Sequence, residues 1–262
     1  MTDPAEPRAP RSVRALALFG LLALVGVALL VALGVWQLDR LGWKLKLIAE
    51  VDSRVHAVAV PAPGPAAWTG ITQDGDEYRH VTATGHFLNN DEALVQAVTD
   101  KGAGYWVVTP LATDAGFTVL VNRGFVPSDR RDPATRQAGQ IAGETRVTGL
   151  LRITEPGGGF LRANDPKTDH WYSRDVAAIA AARGLSGVAP YFIDADDAPN
   201  PGGLPIGGLT VIDFPNNHLV YALTWFALAL MLAGMAAYIL FGEWKRRRQA
   251  AGKLGFEGSP TR

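Results

Sequence analysis

The sequence predicts a membrane protein in which two transmembrane α-helices flank one α+β extracytoplasmic domain with a mostly antiparallel sheet. Three observations carry this. Ala15–Val35 and Leu219–Phe241 are long apolar runs without a single charged residue. Between them, short strand-like segments follow one another, with one late helical segment. The charges are divided by position. Lys plus Arg and Asp plus Glu balance at 25 each, yet three basic residues lie in 1–14 and six in 242–262, leaving 16 basic against 21 acidic between the apolar runs.

Each apolar run reaches the roughly 20 residues a helix needs to cross a bilayer core. Backbone polar groups in lipid must be satisfied within the segment, which requires an α-helix. The first run exceeds the roughly 7–15 residues of a signal-peptide core, which argues against cleavage. The basic cluster Lys245, Arg246, Arg247 and Arg248 places the C-terminal end in the cytoplasm. Two spans return the N-terminus, with Arg8, Arg11 and Arg14, to the same side. Arg40, Lys44 and Lys46 after the first span are a weaker contrary signal. The expected organisation is a cytoplasmic tail at 1–14, a span at 15–35, a periplasmic α+β domain at 36–215, a span at 216–241 and a basic tail at 242–262. The setting is a bacterial inner membrane.

Trp36–Lys44 continues the first helix. Trp36, Arg40, Trp43 and Lys44 form one stripe, suited to the membrane interface or to a partner. A Pro-rich linker, 60–68, ends the helix. Strands are expected over 78–87, with Gly85 as a bulge or close approach, and over 93–99, 104–113, 117–125 and 144–153. "DAG" makes a hairpin turn before Phe117. Residues 173–183 read as a helix capped by Ser173 and stopped by Gly184. "YFID" (191–194) and "LTVIDF" (209–214) complete the strands.

Several classes of chemistry drop out. Without cysteine there is no disulfide, no thiolate nucleophile and no covalent c-type haem attachment. The acidic middle argues against nucleic acid. No nucleophile elbow, zinc-protease motif or phosphate loop occurs, so no enzyme is expected. His80 and His86 share a strand face but lack a third ligand nearby. Asp194, Asp196 and Asp197 read as a solvated acidic turn. In "VNRGFVP" (121–127), Arg123 at a strand end either pairs with a carboxylate or braces a turn.

"GVWQLDRLGWK" (34–44), "PLATDAGFTVLVNRGFVP" (110–127) and "NNHLVYALTWFALA" (216–229) together resemble the Surfeit locus 1 family, in order and in topology. The resemblance implies an assembly factor for haem–copper cytochrome c oxidase that binds haem a and assists its insertion into subunit I. The alternative is a scaffold that holds an assembly intermediate without ligating haem. Subunit I, membrane lipid and a haem a synthase are the implied partners. His218 is the implied haem contact and iron ligand. Trp36, Arg40, Arg123, Tyr221 and Trp225 match other motif positions, as do Asn122 and Gly124. Phe125 stands where many members carry Trp. Helical geometry places His218, Ala222, Trp225, Ala229, Ala233 and Ala236 on one stripe, its small residues open to close approach.

Overall fold

The computed structural model describes residues 11–159 and 161–257. Arg8 and the last five residues, 258–262, lie outside the described residues. The chain forms two compact units, residues 48–213 and a second made of residues up to Leu47 together with those from Phe214.

The 48–213 unit is built on strands β1 (Val60–Pro61), β2 (His80–Phe87), β3 (Ala93–Thr99), β4 (Gly102–Thr113), β5 (Thr118–Pro127), β6 (Thr145–Ile153), β7 (Gly158–Gly159), β8 (Arg162–Ala163) and β9 (Val188–Ala195). β7 and β8 form a separate small hairpin. The main sheet is mixed, a correction to the mostly antiparallel sheet expected. β5 and β9 pair in parallel, as do β1 and β2. A chain that leaves β5, crosses by β6 and a helix, and returns as β9 reaches its neighbour in the same direction, which consecutive hairpins cannot do. The sheet also closes on itself. β2 pairs with β6, β6 with β9, β9 with β5, β5 with β4, and β4 with β2. Gly85 sits at the closure, opposite both Thr113 and Thr145. A Cβ there would run into the Ala112 carbonyl. The close approach expected at this glycine is present.

Alternation along the strands divides the core in two. Val119, Val121, Tyr191 and Ile193 point inward with Val81, Leu111 and Leu151. Leu120 and Phe192 point the other way, onto Trp171 and the helix α3, Val176–Ala182. (The helix α2, Gln73–Asp76, is a single turn before β2.) Burial of such side chains contributes about 1.5–3 kcal/mol each. The α3 cap is Asp175, whose carboxylate accepts from the Ala178 N–H, and not Ser173. Ser173 is buried and donates to the Glu155 carbonyl instead, at 2.6 Å. Gly184, at φ +63°, stops the helix as expected.

"LTVIDF" is not a strand. Both neighbours of β9 are already taken within the closed sheet, so this segment has no edge there to join.

The other unit contains α1 (Val13–Val55, up to Leu47) and α4 (His218–Glu257). Both are long and apolar enough to cross a membrane. Trp36–Lys44 lies within continuous helix, as expected. Small residues line the seam between the helices. Ala23 and Gly34 are buried on α1, and Ala222, Ala229 and Ala236 on α4. The three α4 alanines are spaced by seven residues, the repeat that keeps one face on a neighbouring helix. A Cβ at Gly34 would stand 2.5 Å from the Phe226 ring, and one at Gly26 2.9 Å from Leu232. Ala233, expected in this stripe, is exposed, and Leu232 takes the packing position. Outward-facing Leu21, Leu22, Leu24 and Leu29 leave α1 coated in apolar side chains.

Candidate functional site

His218 opens α4. Asn216 caps this end, its Oδ1 accepting from the His218 N–H at 3.4 Å. The half-buried imidazole turns to α1, where its Nδ1 lies 2.8 Å from Gln37 Oε1. An amide oxygen only accepts, so Nδ1 carries the proton and Nε2 holds the free lone pair. Gln37 was not singled out in the sequence, although it stands beside Trp36 within the matched motif. The available signal was its position on the seam face of α1, where Leu30, Gly34, Gln37, Leu41 and Lys44 recur at three- and four-residue spacing and are all at least half-buried.

The other α1 and α4 residues proposed from sequence divide by exposure. Trp36 is 56% and Tyr221 54% exposed, both on the outer surface of the helices. Trp225 is half-buried. Arg40 lies over the Trp43 ring at 4.1 Å, and Lys44 over Phe214 at 5.1 Å. His218 and Gln37 are thus the polar pair that ties α1 to α4 at this end.

Arg123 belongs to the other unit and has its own setting. It lies in the interior of β5, not at a strand end. The β4–β5 register shifts here, with Trp106 opposite Phe125 but Val108 opposite Asn122, so β5 carries an extra residue. Such a bulge re-aims side chains. Asn122 Nδ2 donates to Asp194 at 2.8 Å, and its Oδ1 accepts from the Gly124 N–H at 3.2 Å. Gly124, at φ +124°, lets Ile206 approach, and a Cβ there would meet the Ile206 carbonyl. Phe125 pairs with Ile206 through its backbone and packs edge-on against Trp106, 6.0 Å away. Arg123 braces two loops, donating through Nη2 to the Gly139 carbonyl at 2.6 Å and to Asn200 Oδ1 at 2.9 Å. Burial holds its pKa down to about 10; the Glu92 charge opposes this and Arg136 adds to it.

The acidic turn is not solvated at Asp194. This side chain is 2% exposed and accepts from Arg152 at 2.9 Å, Arg174 at 3.1 Å and Thr210 at 3.1 Å, besides Asn122. Both guanidinium groups also stack over Phe192. Glu77 and Glu155 complete the set, at 2.8 Å from Arg152 and 2.6 Å from Arg174. Burial opposes the charge on Arg152, but Asp194 and Glu77 outweigh it and its pKa is raised. Asp194 ends "YFID", and the missed signal was its place on β9, one step beyond the inward-facing Ile193. Asp196 pairs with His80 at 3.0 Å, whereas His86 is exposed and stands apart from it.

The SURF1 family model matches residues 24–230, a stretch that includes Gln37, Arg123, Asp194, His218 and Trp225. Surfeit locus protein 1 of Mus musculus is 40% identical over 232 residues, covering 82% of this chain and 72% of that protein. The Homo sapiens protein of the same name is 39% identical, covering 82% and 73%. A SURF1-like protein of Monosiga brevicollis is 34% identical over 244 residues, 88% of each chain. These relatives are eukaryotic and do not bear on the bacterial origin expected from the sequence. By the extent of these matches, this chain belongs to the SURF1 family.

Proposed function

We propose that the chain is a membrane-anchored assembly factor for haem–copper cytochrome c oxidase, and that it holds haem a on its way into subunit I. In this reading α1 and α4 cross the inner membrane of a bacterium. Both chain ends are cytoplasmic and the α+β unit is periplasmic. The observation that carries the reading is the His218–Gln37 hydrogen bond. Imidazole is a standard axial ligand of haem iron. A ligating histidine almost always donates its other ring N–H to an oxygen acceptor, which fixes tautomer and orientation. Gln37 supplies that acceptor at 2.8 Å, leaving Nε2 as the donor atom. Trp225, Tyr221, Trp36 and Arg40 lie along the same two helices and offer apolar and cationic surface for a macrocycle and its carboxylates.

A second reading, a scaffold that holds a partly built oxidase without touching haem, draws on the exposed Trp36, Trp43 and Tyr221. Aromatic side chains of this kind suit a partner helix as well as a lipid interface. The two readings separate on one experiment. The full chain is purified in detergent from cells that make haem a, and its visible spectrum and extracted pigment are measured. A Soret band with extractable haem a supports the carrier. Colourless protein that retains oxidase subunit I supports the scaffold.

A further inference from the structure

Arg123 holds a buried charge that no carboxylate among the described residues pairs with. The side chain is 2% exposed, and both acceptors of its Nη2, the Gly139 carbonyl and Asn200 Oδ1, are neutral. Its guanidinium carbon lies 4.5 Å from the centre of the Phe87 ring. Nη1 is buried with no acceptor among the described residues. Glu92, the acid that acts on it from a distance, is already engaged by Arg136 in a buried ion pair. A buried cation is ordinarily paired, and a buried donor left unmade is costly.

Arg123 also lines a cavity of about 200 Å³ within the same unit. Its other walls include Phe87, Ile141, Val147, Thr145 and Thr148. Two further charged side chains border it. Arg146 is exposed, and Asp196 is engaged by His80.

We propose that this cavity binds a short-chain monocarboxylate, with Arg123 Nη1 donating to a carboxylate oxygen and the alkyl group against Phe87, Ile141 and Val147. The charge of the ligand follows from its neighbours. Nη2 is committed, so Nη1 is the terminal NH2 group left without an acceptor among the described residues, and Asp196 on the same wall disfavours a second negative charge. The apolar part of the wall, Phe87, Ile141 and Val147, favours an aliphatic tail over a fully hydrated inorganic anion. The site is independent of the His218 reading, because its residues all belong to the 48–213 unit.

Butyrate is the probe. Saturation transfer from the full chain in detergent to the butyrate methyl protons is measured with the wild type, Arg123→Gln and Ile141→Trp. The last of these fills the cavity and leaves the guanidinium in place. The wild type should give a saturable signal, weakened at least tenfold in both variants. Should Arg123→Gln fail to fold, Ile141→Trp decides the matter alone. No saturable transfer to the wild type, or transfer unchanged in Ile141→Trp, overturns the proposal. Displacement of butyrate by equimolar inorganic phosphate overturns the carboxylate assignment.

Discussion

His218 Nδ1 and Gln37 Oε1 stand 2.8 Å apart, although 181 residues separate them along the chain. This bond sets the imidazole tautomer and places Nε2 as the available lone pair. Replacing Gln37 by Leu removes the acceptor and frees the ring to rotate. Haem affinity should fall by about 10–100-fold, the usual cost of losing such a support. Gln37→Glu keeps an acceptor and should retain most of the affinity. Haem titration followed by absorbance checks both, and equal affinities for wild type and Gln37→Leu would remove Gln37 from the account.

Asp194 is the anionic centre of the α+β unit. Its replacement by Ala removes the buried carboxylate that Arg152 and Arg174 share at 2.9 and 3.1 Å. Both arginines, largely buried, are left with the more exposed Glu155 as common partner, 2.6 Å from Arg174 but 4.0 Å from Arg152. The loss should be about 3–5 kcal/mol, the range for breaking a buried ion pair from one side. Thermal unfolding of the full chain reads it as a fall of roughly 6–20 °C. A shift within about 2 °C would mean that Glu77 and Glu155 suffice to hold both arginines.

Gly34 and Phe226 test the helix seam. A Cβ at position 34 falls 2.5 Å from the Phe226 ring, inside any real contact. Gly34→Ala should therefore cost about 1–3 kcal/mol, the range for overpacking. Phe226→Leu makes room, so the double variant should recover part of that loss. Strict additivity across the four proteins would show that the two side chains do not meet.

His80 gives a pH signature. Its Nδ1 faces the Ala57 carbonyl at 2.8 Å and its Nε2 faces Asp196 at 3.0 Å, so only the imidazolium satisfies both. Burial opposes the charge, but the two acceptors outweigh it and the pKa is raised. A raised folded-state pKa contributes stability that is complete below the unfolded value, about 6.5, and lost as pH rises through the folded value. The melting-temperature gap between wild type and His80→Gln should be roughly 2–4 °C at pH 5.5 and shrink above pH 7. A gap that widens with pH would contradict the pairing.

Most strands, the α3 helix and both long apolar helices were legible because their signals are local: alternation in "FTVLV", an Ala-rich run closed by Gly184, unbroken stretches without charge. The mixed pairing was not legible. Which strand lies beside β5 depends on how the chain crosses over, and no short window records that. Asp194 was misread for a related reason. In the sequence it sits among acids and small residues at a strand end, and only folding brings Asn122, Arg152, Arg174 and Thr210 around it. The stripe on α4 was partly legible. Ala222, Ala229 and Ala236 were placed on one face from helical geometry alone. The shared register with Gly26 and Gly34 belongs to two helices far apart in sequence. His218 stood out as an ionisable residue at the mouth of an apolar helix. Gln37, which gives that imidazole its orientation, did not, because an uncharged side chain in a helical stripe carries no mark of its own.

The most direct measurement is the visible spectrum of the purified full chain from cells that make haem a, wild type beside His218→Ala. His218 is the first residue of α4 and lies outside both core clusters, so the substitution should leave yield and membrane insertion near wild type. The account predicts a Soret band in the wild type that is lost or clearly shifted in the variant, together with lower haem content in the oxidase of the same cells. An unchanged Soret band with full haem occupancy of the oxidase would contradict it.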